Sequence, residues 1–184
     1  MSGGKPFAPE IVAQAYREVF SYFEDAIYRR FDLPVRHFLL DLAPFERFDL
    51  EMARMVSGDP RTGNLLDWLL HNTTMLRYDD VRHFHFWPQF RAFLLWEMEK
   101  ECSEEKRRAV FSRGALYYEL KEDYAHALEC YTKSGDHAKI SELLIRNSEL
   151  HPGMGHYSEM EKYYRALPES EILASPSLMQ GMSM

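Results

Sequence analysis

The feature that most constrains this fold is the order helix, hairpin, helix within residues 64–95. Residues 64–72 are apolar on most sides and predict a buried helix. Two short runs follow at 75–78 and 81–86, and an aromatic-rich helix is predicted from Pro88 onward. A two-stranded hairpin is only marginally stable by itself, so it must lean on the helices beside it. This order is typical of the second half of a winged helix.

The second run of the hairpin alternates strictly. Phe84 and Phe86 fall on one face, and His83 and His85 fall on the other, which predicts a strand with one solvent-facing side. Histidines at this spacing are able to ligate a metal ion. A third ligand is not obvious nearby, so we interpret both as surface side chains of the wing and predict no metal site.

Three further helices are predicted before residue 64. Apolar residues recur at spacings of three and four over residues 10–31, and Leu33-Pro34 ends that helix because a residue before proline avoids helical backbone. Pro34 opens a second helix that runs to residue 42, and Asp49 is placed to cap a third that runs to residue 56. These elements complete a small helical domain with a wing.

The chain changes character after about Cys102, since residues 104–164 carry helical patterns and no strand signal. Small residues and tyrosines alternate on two successive helices, with Gly114 and Tyr117 on the first and Ala127 and Tyr131 on the second. This pattern is typical of tetratricopeptide repeats, in which small residues let two helices approach and aromatic residues fill the gap. We expect these four residues to pack the repeat; an unrelated helical hairpin is the alternative.

The two ends of the chain carry weaker signals. Residues 1–4 are expected to be a flexible leader, and residues 151–155 to break the helical pattern. Residues 168–176 are predicted to be a connector. Residues 178–184 predict the start of a further helix that is cut short, which favours a truncated chain.

Composition narrows the functional classes. The 184 residues are 46% hydrophobic and 14% aromatic, which is ample for a folded core. The net charge of −7 repels phosphate, and the predicted helix 64–72 holds no Lys or Arg, so we predict no direct DNA binding. No apolar run approaches the length of a membrane span.

Cys102 and Cys130 are expected to be free thiols in a reducing cytoplasm.

A catalytic constellation is not apparent in the sequence. No serine or cysteine nucleophile lies beside a plausible base, and no GxxxxGK[ST] loop is present to hold a triphosphate. The glutamates of residues 97–105 are accompanied by Lys100 and by the basic residues 106–108, and we interpret them as a solvated helix face rather than a paired-carboxylate active site. We therefore predict that this segment is not an enzyme and holds no cofactor itself.

Four segments, taken in order, resemble the MalT-like, LuxR-type ATP-dependent transcriptional regulators, which are STAND-class signalling ATPases. The segments are residues 38–48, 64–75, 86–94 and 109–140. The most similar pieces are Tyr124-Ala125-His126-Ala127-Leu128 and Lys133-Ser134-Gly135-Asp136-His137-Ala138. The resemblance extends over roughly residues 10–176 and rests on the order of these pieces.

The resemblance implies a regulatory segment. In that family an ATPase domain precedes the winged helix, and inducer-sensing helical repeats and a promoter-binding helix-turn-helix follow it. A histidine at the start of the last winged-helix helix often senses the bound nucleoside diphosphate. The matching positions here are Trp87 and Pro88, so His85, two residues earlier, is the candidate nucleotide-sensing residue. ATP or ADP is implied for the parent protein only.

We therefore predict a mainly α fold, with a winged helix at residues 7–102 and the start of a tetratricopeptide-like domain at residues 103–184. The predicted function is a non-catalytic relay between an upstream nucleotide-binding domain and helical repeats that bind an inducer or a protein. The alternative is a stand-alone helical-repeat scaffold for protein partners.

Overall fold

The computed structural model describes residues 9–149 and 157–182, and the chain forms two compact units, Met1–Cys102 and Ser103–Met184. The predicted mainly α class, a winged helix followed by helical hairpins, is confirmed. The predicted leader at residues 1–4 and the predicted break at residues 151–155 lie outside the described residues.

The first unit contains five α-helices and a two-stranded antiparallel sheet among its described residues. The elements are α1 (Pro9–Ala26), a 3-10 turn (Tyr28–Arg30), α2 (Leu33–Leu42), α3 (Leu50–Ser57), α4 (Thr62–Asn72), β1 (Leu76–Tyr78), β2 (Phe84–Phe86) and α5 (Pro88–Glu101).

Local chemistry sets where these helices begin and end. The Asp32 carboxylate accepts a hydrogen bond from the Val35 amide at 3.2 Å, so α2 begins at Leu33. The Asp49 carboxylate accepts from the Met52 amide at 2.7 Å and caps α3, as predicted. The predicted end of the first helix near residue 31 is wrong, because the chain tightens into the 3-10 turn after Ala26 and directs the buried Tyr28 into the core.

The hairpin pairs Leu76 with Phe86, Arg77 with His85 and Tyr78 with Phe84. Phe84 also exchanges two backbone hydrogen bonds with Phe48, which precedes α3, at 3.1 and 2.7 Å. This third short segment gives the hairpin the support that a two-stranded sheet needs.

The predicted second strand at residues 81–86 is shorter than expected. The Asp79 carboxylate accepts hydrogen bonds from the Val81 amide at 3.1 Å and the His83 amide at 2.9 Å, and Arg82 adopts a left-handed φ of 65°. Residues 79–83 therefore form a turn instead of extending the ladder. The predicted facing of the strand is correct for Phe84 and Phe86, which are buried.

Aromatic side chains form the core of the first unit. Phe93 of α5 is fully buried, and its ring lies 5.5–6.3 Å, centroid to centroid, from five other rings. These rings belong to Phe20, Phe23, Tyr28, Phe90 and Trp96. They join α1, the 3-10 turn and α5 through edge-on and tilted contacts, which aromatic pairs prefer.

The second unit is helical throughout its described residues. The helices are α6 (Glu104–Leu120), α7 (Tyr124–Ser134), α8 (His137–Ser148), α9 (Tyr157–Ala166), α10 (Glu169–Ala174) and α11 (Pro176–Met182). Successive helices from α6 to α9 pack on one another, and α11 packs on α8 and α9. The predicted connector at residues 168–176 is wrong, because residues 169–174 form α10.

Candidate functional site

A cleft beside the hairpin brings together several charged side chains of the first unit. Its volume is about 320 Å³. We call it the wing cleft, and it is lined by Glu46, Arg47, Asp79, His85, Phe86, Pro88 and Arg91. The loop after α2, the turn of the hairpin, β2 and the start of α5 thus contribute one wall each.

Two arginines hold these walls together. Arg47 forms an ion pair with Asp79 and ties the loop after α2 to the hairpin turn. Arg91 of α5 donates to the carbonyl oxygens of Ala43 and Pro44 at 3.0 and 2.8 Å, so the same loop is also fixed to the last helix. The cleft is therefore built from elements that are fastened to each other.

Asp79 stays ionised well into the acidic range. The backbone hydrogen bond from His83 is the main cause that holds the pKa of Asp79 below its usual range, and the Arg47 guanidinium adds to it. A depressed pKa means that the stabilisation by this carboxylate is present above its ordinary pKa and is lost only as the pH falls through the depressed value.

His85, the predicted nucleotide-sensing residue, is half-buried and lies on the wall of the wing cleft. The cleft brings it together with Arg47 and Arg91, two permanent cations, and with the carboxylates of Glu46 and Asp79. Guanidinium and imidazole groups are donors to phosphate or carboxylate oxygens. The lining thus combines guanidinium and imidazole groups with two carboxylates.

Sequence reasoning missed Arg47 and Arg91 as members of this site. Arg47 lies far from His85 in sequence, and only the folding of the loop after α2 against the hairpin brings the two into one cleft. Arg91 lies in a segment that resembles the MalT-like regulators, but its position in the sequence does not predict that it bonds backbone carbonyls.

The four residues predicted to pack the repeat are all buried in the second unit. Gly114 and Tyr117 lie on α6, and Ala127 and Tyr131 lie on α7, the helix against which α6 packs. Their assignment to a tetratricopeptide repeat stays a prediction.

A polar clamp that the sequence did not indicate joins three helices of this unit. The Tyr131 hydroxyl donates to Oε2 of Glu119 at 2.8 Å, and Nη1 of Arg146 on α8 donates to Oε1 of the same carboxylate at 2.9 Å. The Glu119 side chain is only 12% exposed. Burial, reinforced by the Glu119 carboxylate, raises the pKa of Tyr131 above its usual range, so the hydroxyl remains a donor at all physiological pH values.

A smaller cleft of about 100 Å³ lies beside this clamp, lined by Tyr124, Leu143, Arg146, Asn147 and Met160. It offers one guanidinium, one amide and one phenol beside the apolar side chains of Leu143 and Met160. This mixture of a few polar groups in an apolar setting is typical of small-molecule sites, although the volume is below their usual range.

Four further features were candidates for function: metal-binding clusters, the cysteines, membrane-spanning helices and the exposed face of α4. Within residues 9–149 and 157–182, no group of three or more His, Cys, Asp or Glu side chains is arranged to hold a metal ion. Cys102 and Cys130 are both buried, and burial raises the pKa of the Cys130 thiol to about 12. In the same part of the chain no helix is long and apolar enough to cross a membrane. The exposed face of α4 presents Asp67 and His71 and no basic residue except that histidine.

The helices, the hairpin and the third short segment at Phe48 define the first unit as a winged helix. Residues 24–106 match the family model described as the MalT winged helix domain. The chain thus contains a MalT-like region, which supports that part of the resemblance seen in the sequence. No curated protein matches the chain.

Proposed function

We propose that this chain is a non-catalytic regulatory segment of a LuxR-type transcriptional regulator. In this proposal the winged helix relays between an upstream nucleotide-binding domain of the STAND class and helical repeats that bind an inducer or a protein. The match of residues 24–106 to the MalT winged helix domain carries the proposal.

The wing cleft supports a role for the winged helix in sensing nucleotide. Its two arginines and His85 are donors that suit the terminal phosphate of ADP held by a neighbouring domain. The winged helix would bind the nucleotide domain more tightly in one nucleotide state than in the other. A relay needs such a difference in affinity, because a ligand shifts an equilibrium only by its differential binding to the two states.

The helical hairpins of the second unit would sense the second signal. Stacked helical hairpins present extended surfaces to partners, and the cleft at Tyr124 and Arg146 adds one small polar recess. ADP or ATP belongs to the parent protein in this proposal, and the cytoplasm is the expected compartment.

The experiment begins with the reading frame on both sides of this segment. A nucleotide-binding domain with a GxxxxGK[ST] loop is expected upstream. That domain is expressed separately and titrated with this chain by calorimetry, with and without MgADP. We expect binding that is strengthened by MgADP, and we expect His85→Ala to weaken the MgADP-dependent part about tenfold, which corresponds to loss of one charge-assisted hydrogen bond.

The matched control is His71→Ala, since His71 lies exposed on α4 and away from the lining of the wing cleft. It should leave the affinity unchanged. Two outcomes would overturn the relay and favour a stand-alone scaffold for protein partners. One is the absence of a nucleotide-binding domain from the gene, and the other is an affinity for that domain that does not change with MgADP.

A further inference from the structure

The inner face of α5 changes from aromatic to acidic along its length. Phe90, Phe93, Glu97 and Glu101 follow one another at spacings of three and four, so they share one side of the helix. Our prediction that the glutamates of residues 97–105 all lie on a solvated face is wrong for Glu97, whose side chain is only 2% exposed. The glutamate spacing alone did not reveal this, whereas the register with Phe93 does.

One cation on the same helix partly compensates Glu97. Nζ of Lys100 lies 2.9 Å from Oε1 of Glu97 and 3.9 Å from the centroid of the Trp96 ring. The Lys100 side chain is 44% exposed, so solvent shares its charge and screens the pair.

The elements packed against this part of α5 bring charges of both signs. Glu24 of α1 adds a second carboxylate near Glu97 and is itself paired with Arg29 at 2.7 Å. The Tyr28 hydroxyl of the 3-10 turn donates to Oε2 of Glu101 at 3.0 Å. From α2, the Arg36 guanidinium lies 5.4 Å from the centroid of the Tyr28 ring.

These surroundings favour the neutral form of Glu97. Burial is the main cause that raises the pKa of Glu97, Lys100 opposes the rise, and Glu24 and Glu101 add to it. A carboxyl whose pKa is raised by folding stabilises the fold fully below its unfolded pKa, and this stabilisation is lost as the pH rises through the folded value. The packing around Glu97 is therefore stronger at acidic pH than at alkaline pH.

We infer that the contact of α1 and the 3-10 turn with α5 is a proton-dependent joint, tightened when the Glu97 carboxyl is protonated and loosened when it is ionised. The aromatic contacts of Phe20 and Phe23 with Phe93, at 5.8 Å each, lie one helical turn before Glu97. The same helix pair thus holds an apolar contact that is independent of pH and a carboxyl group that is not. Protonation of Glu97 therefore strengthens the contact between α1 and α5. This inference does not depend on the proposed relay.

The test uses hydrogen exchange on the full chain. Amide protection factors of residues 17–26 in α1 are measured at pH 5.5 and pH 8, with intrinsic exchange rates divided out. In the unmodified protein we expect higher protection at pH 5.5 than at pH 8, because the raised pKa keeps more of the Glu97 carboxyl protonated in the folded state at the lower pH. In Glu97→Gln, which imitates the protonated carboxyl, we expect protection to stay at the acid level at both pH values.

The control is Glu99→Gln, because Glu99 lies on the exposed side of the same helix and its substitution should retain the pH dependence of the unmodified protein. Equal pH dependence in the unmodified protein and in Glu97→Gln would overturn the joint. If Glu97→Gln does not fold, the test is a ¹³C NMR titration of the Glu97 carboxyl carbon in the unmodified protein. A titration midpoint at or below the ordinary 4.5 would contradict the inference, and a midpoint above it, with α1 amide shifts following the same curve, would support it.

Discussion

The two units of this chain fill their hydrophobic cores with different kinds of side chain. The winged helix fills its core with a cluster of rings centred on Phe93. The helical unit fills its core with small and aliphatic residues, such as Ala127, Leu128 and Leu144, and with tyrosines placed singly between them, and it adds the polar clamp at Glu119. The rings around Phe93 connect α1, the 3-10 turn and α5, so we expect much of the free energy of unfolding of this unit to depend on one cluster. In the helical unit the small residues distribute the packing contacts along each pair of helices.

The largest expected effect concerns that ring cluster. Phe93→Ala removes a fully buried ring with five ring neighbours and should lower the free energy of unfolding by about 3–5 kcal/mol. The measurement is denaturant unfolding followed by circular dichroism. Phe111→Ala makes the same chemical change in the helical unit, where Phe111 is half-buried under Lys133, and should cost clearly less. Equal losses would mean that the ring cluster is not a special centre of stability.

The clamp at Glu119 gives the helical unit one concentrated contact of its own. Glu119→Ala leaves the buried Tyr131 hydroxyl without its acceptor and should cost about 1–3 kcal/mol in the same unfolding measurement. Glu142→Ala serves as the matched control, because Glu142 is an exposed glutamate of α8 that pairs with Lys139, and no measurable loss is expected there. A loss at Glu142 as large as at Glu119 would show that the clamp adds nothing specific.

The sequence predicts some local features of the winged helix and misses others. The cap of α3 was predicted correctly, since Asp49 holds that position. The alternation of Phe84 and Phe86 predicted the second strand of the wing, but it did not predict the turn that shortens this strand. That turn depends on which amides the Asp79 carboxylate reaches, and hydrophobic periodicity does not report such a choice.

The candidate site was less predictable than the fold. His85 was found through a resemblance, whereas Arg47 and Arg91 reach the wing cleft through contacts between residues distant in sequence. Burial of Glu97 was missed because a charged residue at a core position has no signature in composition. Its register with Phe93 was available, and helical periodicity applied to charged residues as well as apolar ones would have indicated it.

The smallest expected effects come from the turns between the helices of the second unit, where the same device appears twice. Asp123 and Asp136 cap α7 and α8 with the same backbone angles, φ −87° and ψ 75°, and each follows a left-handed residue, Glu122 at φ 60° and Gly135 at φ 74°. Only glycine adopts this conformation without strain, so the two turns differ in their conformational cost although their geometry is alike.

Exchanging the residue types should therefore have opposite effects in the two turns. Gly135→Ala should lower the free energy of unfolding by about 1 kcal/mol, and its cause is conformational, since the nearest atom to an added Cβ would be Arg108 at an ordinary 3.9 Å. Glu122→Gly should raise the free energy of unfolding by up to about 1 kcal/mol, because relief of strain outweighs the added chain entropy. Both are measured by denaturant unfolding of the full chain, with Glu122→Ala as the control that retains the strain. Destabilisation by Glu122→Gly would mean that the Glu122 side chain, rather than its backbone, matters to the turn.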